Sequence, residues 1–477
     1  MSSQSVQNWI EDLEDVDDAT REEAARALAE LGDPKTLDDL LPAVEDDYWA
    51  VRIQIGWALA KIGGDQAVEG LITLFNDNMM EVQAESVSAM ASMGLANVPK
   101  LIACLKDERW RVREQAAKAL GLLKDSQAVK GLSIACRDRD GAVKAASAES
   151  LGRIGDPAAV PLLIKLFKDP SKIVRETAGT ALVYIGEESI PALIETLKDP
   201  HFVVRCHGVR ALGGMTTDYQ MGTAWTKDAR VVEALVKALK DEDRAVREDS
   251  TIALGIIGDP RAVDGLIEAM KDGAVKRHAI ASLGMIGDAR ALPPVFNALK
   301  GKGIPQQGTP TPGCIISEDQ LIKEAAATAL GHFRDPKVIP DLIYLLKDLV
   351  LREYAAASLV LIGDVAIEPL VAFLHDPDAS KVERESERVL AFASTRLTAS
   401  SALKKTVLET LEKLGWEPLK DDGQDKLTDL QYTDPDKVLG EEGRFGPSGD
   451  FARPAKALKR AIINSYPFFH ISYSVVG

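Results

Sequence analysis

The chain predicts an all-α fold, an α-α superhelix of about eleven or twelve stacked helix pairs with a non-repeat C-terminal tail. Three observations predict it. Val-Arg recurs at Val51-Arg52, Val112-Arg113, Val174-Arg175, Val204-Arg205 and Val246-Arg247, with softer versions at Val82-Gln83, Val143-Lys144, Val275-Lys276 and Leu351-Arg352. The steps from Val51 to Val204 are 31, 30, 31, 31 and 30 residues. A glycine mark trails these positions by twelve residues, as at Gly63-Gly64, Gly155-Asp156, Gly186-Glu187, Gly258-Asp259, Gly287-Asp288 and Gly363-Asp364. Finally, Asp46, Asp77, Asp107, Asp138, Asp169, Asp199 and Asp241 each precede by six residues Arg52, Gln83, Arg113, Lys144, Arg175, Arg205 and Arg247. Stacking would set these side chains in an alternating ladder of charge pairs.

Residues 156–186 give the unit. Asp156 and Pro157 supply a cap and a first-turn proline. Val160, Leu163, Ile164 and Phe167 then share one helical face, and Lys168 to Ser171 break it. A second helix carries Val174, Ala178, Ala181, Leu182 and Ile185 on one face and stops at Gly186. One such pair cannot bury its apolar faces alone; stacked neighbours make a continuous core.

The run LIKLFKDPSKIVRETAGTALVYIGE resembles the short HEAT-like repeat named after phycobilisome lyases, and the resemblance spans roughly residues 5–415. It implies a solenoid whose second helices line the concave side. The lyases themselves attach open-chain tetrapyrroles to proteins. No catalytic signature carries over residue by residue.

Composition narrows the partners. Residues 1–50 hold 15 acids and 3 bases, residues 421–450 hold 9 acids and 3 bases, and residues 451–477 carry four bases and no acid. With a total of −16, residues 51–420 are left at only −2. The body is near neutral behind an acidic N-terminal end. It offers no basic stripe for phosphates, which argues against nucleic acid. No run of 18 apolar residues suggests a membrane span, and the acidic N-terminus lacks the apolar region of a signal peptide. Cys104, Cys136, Cys206 and Cys314 are scattered, as reduced thiols of a cytoplasmic protein would be.

The period breaks in three places. Val204 to Val246 is 42 residues and Val275 to Ile322 is 47. Residues 1–415 therefore read as the solenoid, with loop insertions near 214–230 and 300–320. Residues 416–450 read as an acidic linker. Residues 451–477 read as a short basic helix and an apolar partner-docking segment.

No His is followed by Glu, as the paired irons of deoxyhypusine hydroxylases, another type of HEAT-like array, would require. No phosphate loop, dinucleotide fingerprint or Ser-His-Asp spacing appears. The expectation is a non-catalytic protein-binding scaffold or assembly factor, not an enzyme, with no cofactor and no metal. A bilin lyase-like attachment factor is the alternative. Candidate protein-binding residues are Trp49, Trp110 and Phe202, which lie two before their valines together with Met80. Trp57 and Arg210 lie six after theirs, Trp225 is on the first insertion, and Phe468, Phe469 and Tyr473 are in the tail. Protein partners are expected on the concave face, the insertion loops and the C-terminal segment.

Overall fold

In a computed structural model of the chain, the described residues are 3–214, 228–300, 318–348, 350–374 and 399–415. They fall in the compact unit Met1–Leu414, apart from Gly415 at the start of a second unit, Gly415–Gly477. Trp225, Phe468, Phe469 and Tyr473 lie outside the described residues, as do the linker, the tail and most of both insertions.

Each unit forms as its sequence dictates, with one difference in detail. Asp156 is extended and its carboxylate accepts from the Ala158 N–H, but Pro157–Ala159 makes a tight 3-10 turn before the α-helix Val160–Lys165 begins. The same entry recurs at Pro260–Ala262 and Pro336–Val338. The proline fixes φ and lacks an N–H, and the aspartate satisfies a neighbouring donor, so the first turn tightens. Val160, Leu163 and Phe167 are buried, and so are Val174, Ala178, Ala181, Leu182 and Ile185 across the break. Gly155 closes the preceding second helix at φ 77°, a left-handed conformation that costs glycine little.

The ruler valines are the centre of the core. Val51, Val112, Val143, Val174 and Val246 have no exposure at all. Second helices pack on second helices without interruption from Asp18–Leu31 to Ala399–Lys413. The stack is continuous across both insertions: Phe202–Leu212 packs on Arg244–Ile257, and Lys276–Ile286 on Glu318–Phe333. Among the described residues there is no strand.

Close approach inside this layer depends on small residues. A Cβ on Gly121 would stand 2.9 Å from the Ser150 Cα, and one on Gly152 would stand 2.6 Å from the Ala181 Cα. The serine hydroxyls at these contacts reach across to backbone carbonyls: Ser150 to Ala117 at 2.7 Å, Ser282 to Thr251 at 2.8 Å and Ser358 to Ala327 at 2.8 Å. Closer spacing among second helices than among first helices would bend such a stack toward its second-helix side.

Among the described residues no single helix is long and apolar enough to cross a membrane. Met80–Ser92 with Leu95–Cys104 passes that test as a pair, but the two are bent by 108° and belong to the array.

Candidate functional site

The ladder foreshadowed by the Asp and Arg spacing joins neighbouring units. Arg52 clamps Asp77 with Nε at 2.6 Å and Nη2 at 2.9 Å. Arg113 clamps Asp138 at 2.7 and 2.9 Å, and Arg205 clamps Asp241 at 2.9 and 2.8 Å. Lys144 reaches Asp169 at 2.5 Å and Arg247 reaches Asp272 at 2.8 Å. The pattern begins one unit earlier than the Val-Arg ruler, with Arg21 on Asp46 at 2.8 Å. In each arginine rung Nη1 also bonds the carbonyl of its own unit's aspartate, as Arg113 does to Asp107 at 2.8 Å. Burial pushes the Asp138 carboxyl up, but the Arg113 hydrogen bond and the Asp140 N–H hold it below the ordinary carboxylate range.

Among the described rungs from Arg21 to Asp272 two fail, and they are the two that span a 30-residue step. From Val82 to Val112 and from Val174 to Val204 the unit is one residue shorter. The missing residue lies in the turn between units: Gly94 and Gly186 lead straight into Leu95–Asn97 and Glu187–Ser189, where Gly155 is followed by the capping Asp156. Asp107 pairs instead with Arg109 in its own turn at 2.9 Å, and Asp199 with Lys168 at 2.9 Å. The side chains left behind turn to the next second helix. Gln83 Oε1 accepts from Gln115 Nε2 at 3.0 Å, and Arg175 Nε donates to His207 Nε2 at 3.3 Å.

His207 is therefore part of a polar cluster beside the first insertion. Its imidazole is buried and stacks on Phe167 with centroids 5.4 Å apart. Burial lowers its pKa to about 3, and Arg210, Arg175 and Lys172 push the same way, so the ring is neutral. One turn on, Arg210 Nε donates to Asp249 Oδ2 at 2.8 Å. Burial raises the Asp249 carboxyl, and Arg210 pulls it back. In the next unit His278 is also buried, with its pKa lowered to about 4 by burial and then by Arg277 and Arg244. His278 Nδ1 has no hydrogen-bond partner among the described residues. His207, Asp249 and His278 occupy the same register on three consecutive second helices, each three residues after its valine.

Trp49, Met80, Trp110 and Phe202 stand exposed at the starts of their helices, with 38, 78, 39 and 44% of their surface accessible. Arg111 lies over the Trp110 ring at 5.0 Å. Trp57 is half-buried, and its indole N–H is engaged by Glu85 Oε2 at 3.1 Å. Trp57 and Arg210, six residues after their valines, thus bond in the same way to the carboxylate three residues after the next ruler position. The carboxylate column was the missing signal: Glu85 and Asp249 share one register.

Burial pushes the Cys104 thiol up to about 11 and the Cys136 thiol up to about 12, and raises Cys206 as well. None of these three is a thiolate nucleophile at neutral pH. Among the described residues no group of three or more His, Cys, Asp or Glu side chains is arranged to hold a metal ion.

The HEAT repeats family matches residues 6–91, 98–183, 163–223, 190–275 and 314–391. The bilin biosynthesis protein PecE of Nostoc sp. is 29% identical over 186 residues, which cover 36% of this chain and 68% of that protein. The phycocyanobilin lyase subunit alpha of Picosynechococcus sp. is 32% identical over 185 residues, 34% of this chain and 64% of that protein. The crystal structure of Kap121p superposes with a TM-score of 0.54 at 14% identity, over 87% of this chain and 50% of that one, a likeness of fold alone. The expectation of a non-catalytic scaffold is corrected by these relatives, whose names are those of a bilin biosynthesis protein and a lyase subunit. The repeating ladder and the matches across its length agree: this chain belongs to the HEAT-repeat family, in the repeat type of the phycobilisome lyases.

Proposed function

We propose that this chain is a bilin lyase-like attachment factor, which holds an open-chain tetrapyrrole and delivers it to an acceptor protein. The carrying observation is the match to PecE and to a phycocyanobilin lyase subunit over about two thirds of their lengths. Two features support it. The thiols of Cys104, Cys136 and Cys206 are kept protonated by burial, so they are poor anchors for the pigment and the covalent bond falls to the acceptor. The exposed ridge of Trp49, Met80 and Trp110, in consecutive units beside the acidic N-terminal end, is suited to docking that acceptor.

The test is spectroscopic. Purified protein mixed with phycocyanobilin should shift the pigment's visible absorption and induce circular dichroism in its bands. Adding an acceptor apoprotein should then yield pigment that stays with the acceptor on a denaturing gel, faster than with pigment and acceptor alone. An unshifted spectrum, together with no acceleration of attachment, would sink the reading.

A further inference from the structure

The Nε and Nη2 edge of an arginine at this place in the repeat is a carboxylate clamp, and the array itself demonstrates it. Arg52, Arg113 and Arg205 each present that edge to an aspartate of the following unit at 2.6 to 2.9 Å. Arg175 is the one ladder arginine from Arg21 to Arg247 with no carboxylate among the described residues. Its Nη1 is held as in the other rungs, by the carbonyls of Asp169 at 2.7 Å and Pro170 at 2.9 Å. The guanidinium is thus fixed in place. Its aspartate, Asp199, is taken by Lys168. What Nε meets instead is the neutral ring of His207 at 3.3 Å, a long and uncharged contact.

The surroundings favour an anion. Lys172 and Arg210 stand close enough to His207 to oppose its protonation. Arg210 is matched by Asp249 at 2.8 Å. Arg175 remains partly open to solvent. A bidentate guanidinium–carboxylate pair is stronger than the neutral bond it would displace, and it fixes orientation.

We infer that the rung at Arg175 is a binding site for a ligand's carboxylate, and that its ligand is a propionate side chain of the open-chain tetrapyrrole. The choice of ligand rests on the proposed function; the carboxylate site rests on the ladder. Occupation exchanges the Nε contact with His207 for one with the propionate, while Nη1 stays on the Asp169 and Pro170 carbonyls.

The experiment compares phycocyanobilin with its dimethyl ester, by titration of the visible spectrum, on the parent chain, Arg175→Gln and Arg113→Gln. The last makes the same change at a filled rung. Arg175→Gln should weaken binding of the acid by roughly tenfold or more. The ester should bind parent and Arg175→Gln alike, at the weaker level. Arg113→Gln should lower the melting temperature and leave pigment affinity unchanged. If the acid binds the parent but Arg175→Gln binds it equally well, the rung is overturned and the attachment reading stands. If phycocyanobilin does not bind the parent, the attachment reading falls, and the rung is decided by titrating the parent with acetate while following the Arg175 Nε–H resonance. A saturable shift absent from Arg113 supports the carboxylate site; no shift overturns it.

Discussion

Arg210 and Asp249 are 39 residues apart in the chain and 2.8 Å apart in the fold. Their bond crosses from one second helix to the next beside an insertion, and it stitches the array where the repeat is interrupted. Asp249 is almost wholly buried, so its charge depends on Arg210. Arg210→Ala should therefore cost about 3 kcal/mol, the usual penalty for stranding one partner of a buried pair. Replacing both with Met and Leu should recover most of it. Chemical denaturation of the three variants measures this. A loss below about 1 kcal/mol in Arg210→Ala would mean that Asp249 is supported by other groups.

Filled and unfilled ladder rungs should differ in the same way. Arg113 is nearly inaccessible and holds Asp138 with two hydrogen bonds, so Arg113→Gln should cost about 2–3 kcal/mol. Arg175→Gln breaks no ion pair and should cost less than half as much. Equal losses in matched denaturant titrations would contradict the link between failed rungs and 30-residue steps.

The repeat, the helix pairs and most of the ladder are legible in the sequence because each unit samples the same geometry. The two failed rungs coincide with the 30-residue steps, whose missing residue is the capping residue of the turn between units. The cross-links from Trp57 to Glu85 and from Arg210 to Asp249 were not. They depend on the lateral offset between neighbouring second helices, which no single unit encodes. Trp57 and Arg210 stood out by residue type, while Glu85 and Asp249 looked like ordinary surface carboxylates. The serine-to-carbonyl bonds of Ser150, Ser282 and Ser358 were hidden for a related reason, since their acceptors are backbone atoms of another helix.

Acid should weaken the array earlier than its carboxylates alone would predict. Unfolded imidazoles protonate near 6.5, whereas folding lowers His207 to about 3 and His278 to about 4. As pH falls below 6.5 the unfolded chain takes up protons that the folded chain refuses, so stability declines steadily toward pH 4. Asp249 has the opposite sign: its raised carboxyl takes up its proton first in the folded state, which offsets part of the loss at the acid end. Ladder carboxylates such as Asp138 are lowered, and their contribution is lost only as pH falls through 3.8 and below. Thermal midpoints should drop between pH 7 and pH 5, and a His207→Gln/His278→Gln variant should flatten that limb. A parent midpoint unchanged from pH 7 to pH 5 would rule the histidines out as the cause.

Glycines of the second helices should divide by what they face. Gly152 lies against the Ala181 backbone, so Gly152→Ala must push two helices apart and should cost about 2 kcal/mol or more. Gly141 opens a helix of the same layer, and nothing stands within 4 Å of the place a methyl would take. Gly141→Ala should therefore stabilise by about 0.5 kcal/mol. Melting curves that move in the same direction for both would contradict the close-packed layer.

The ridge is the last place where surface and function meet. Trp49, Met80 and Trp110 project from consecutive units and none of them fills the core. Removing them should therefore leave folding nearly untouched: Trp49→Ala with Trp110→Ala is expected to shift the melting temperature by no more than about 2 °C, the small effect of a surface change. Hot-spot aromatics typically carry about 2 kcal/mol or more of an interface. Under the proposed function, the double variant should bind phycocyanobilin like the parent yet pass it to an acceptor far more slowly, with the loss recovered at high acceptor concentration. Such a split separates acceptor docking from pigment holding, since Arg175→Gln should fail at the earlier step. Transfer at the parental rate would move the docking surface off the ridge. A large fall in melting temperature would instead make these aromatics part of the packing between units.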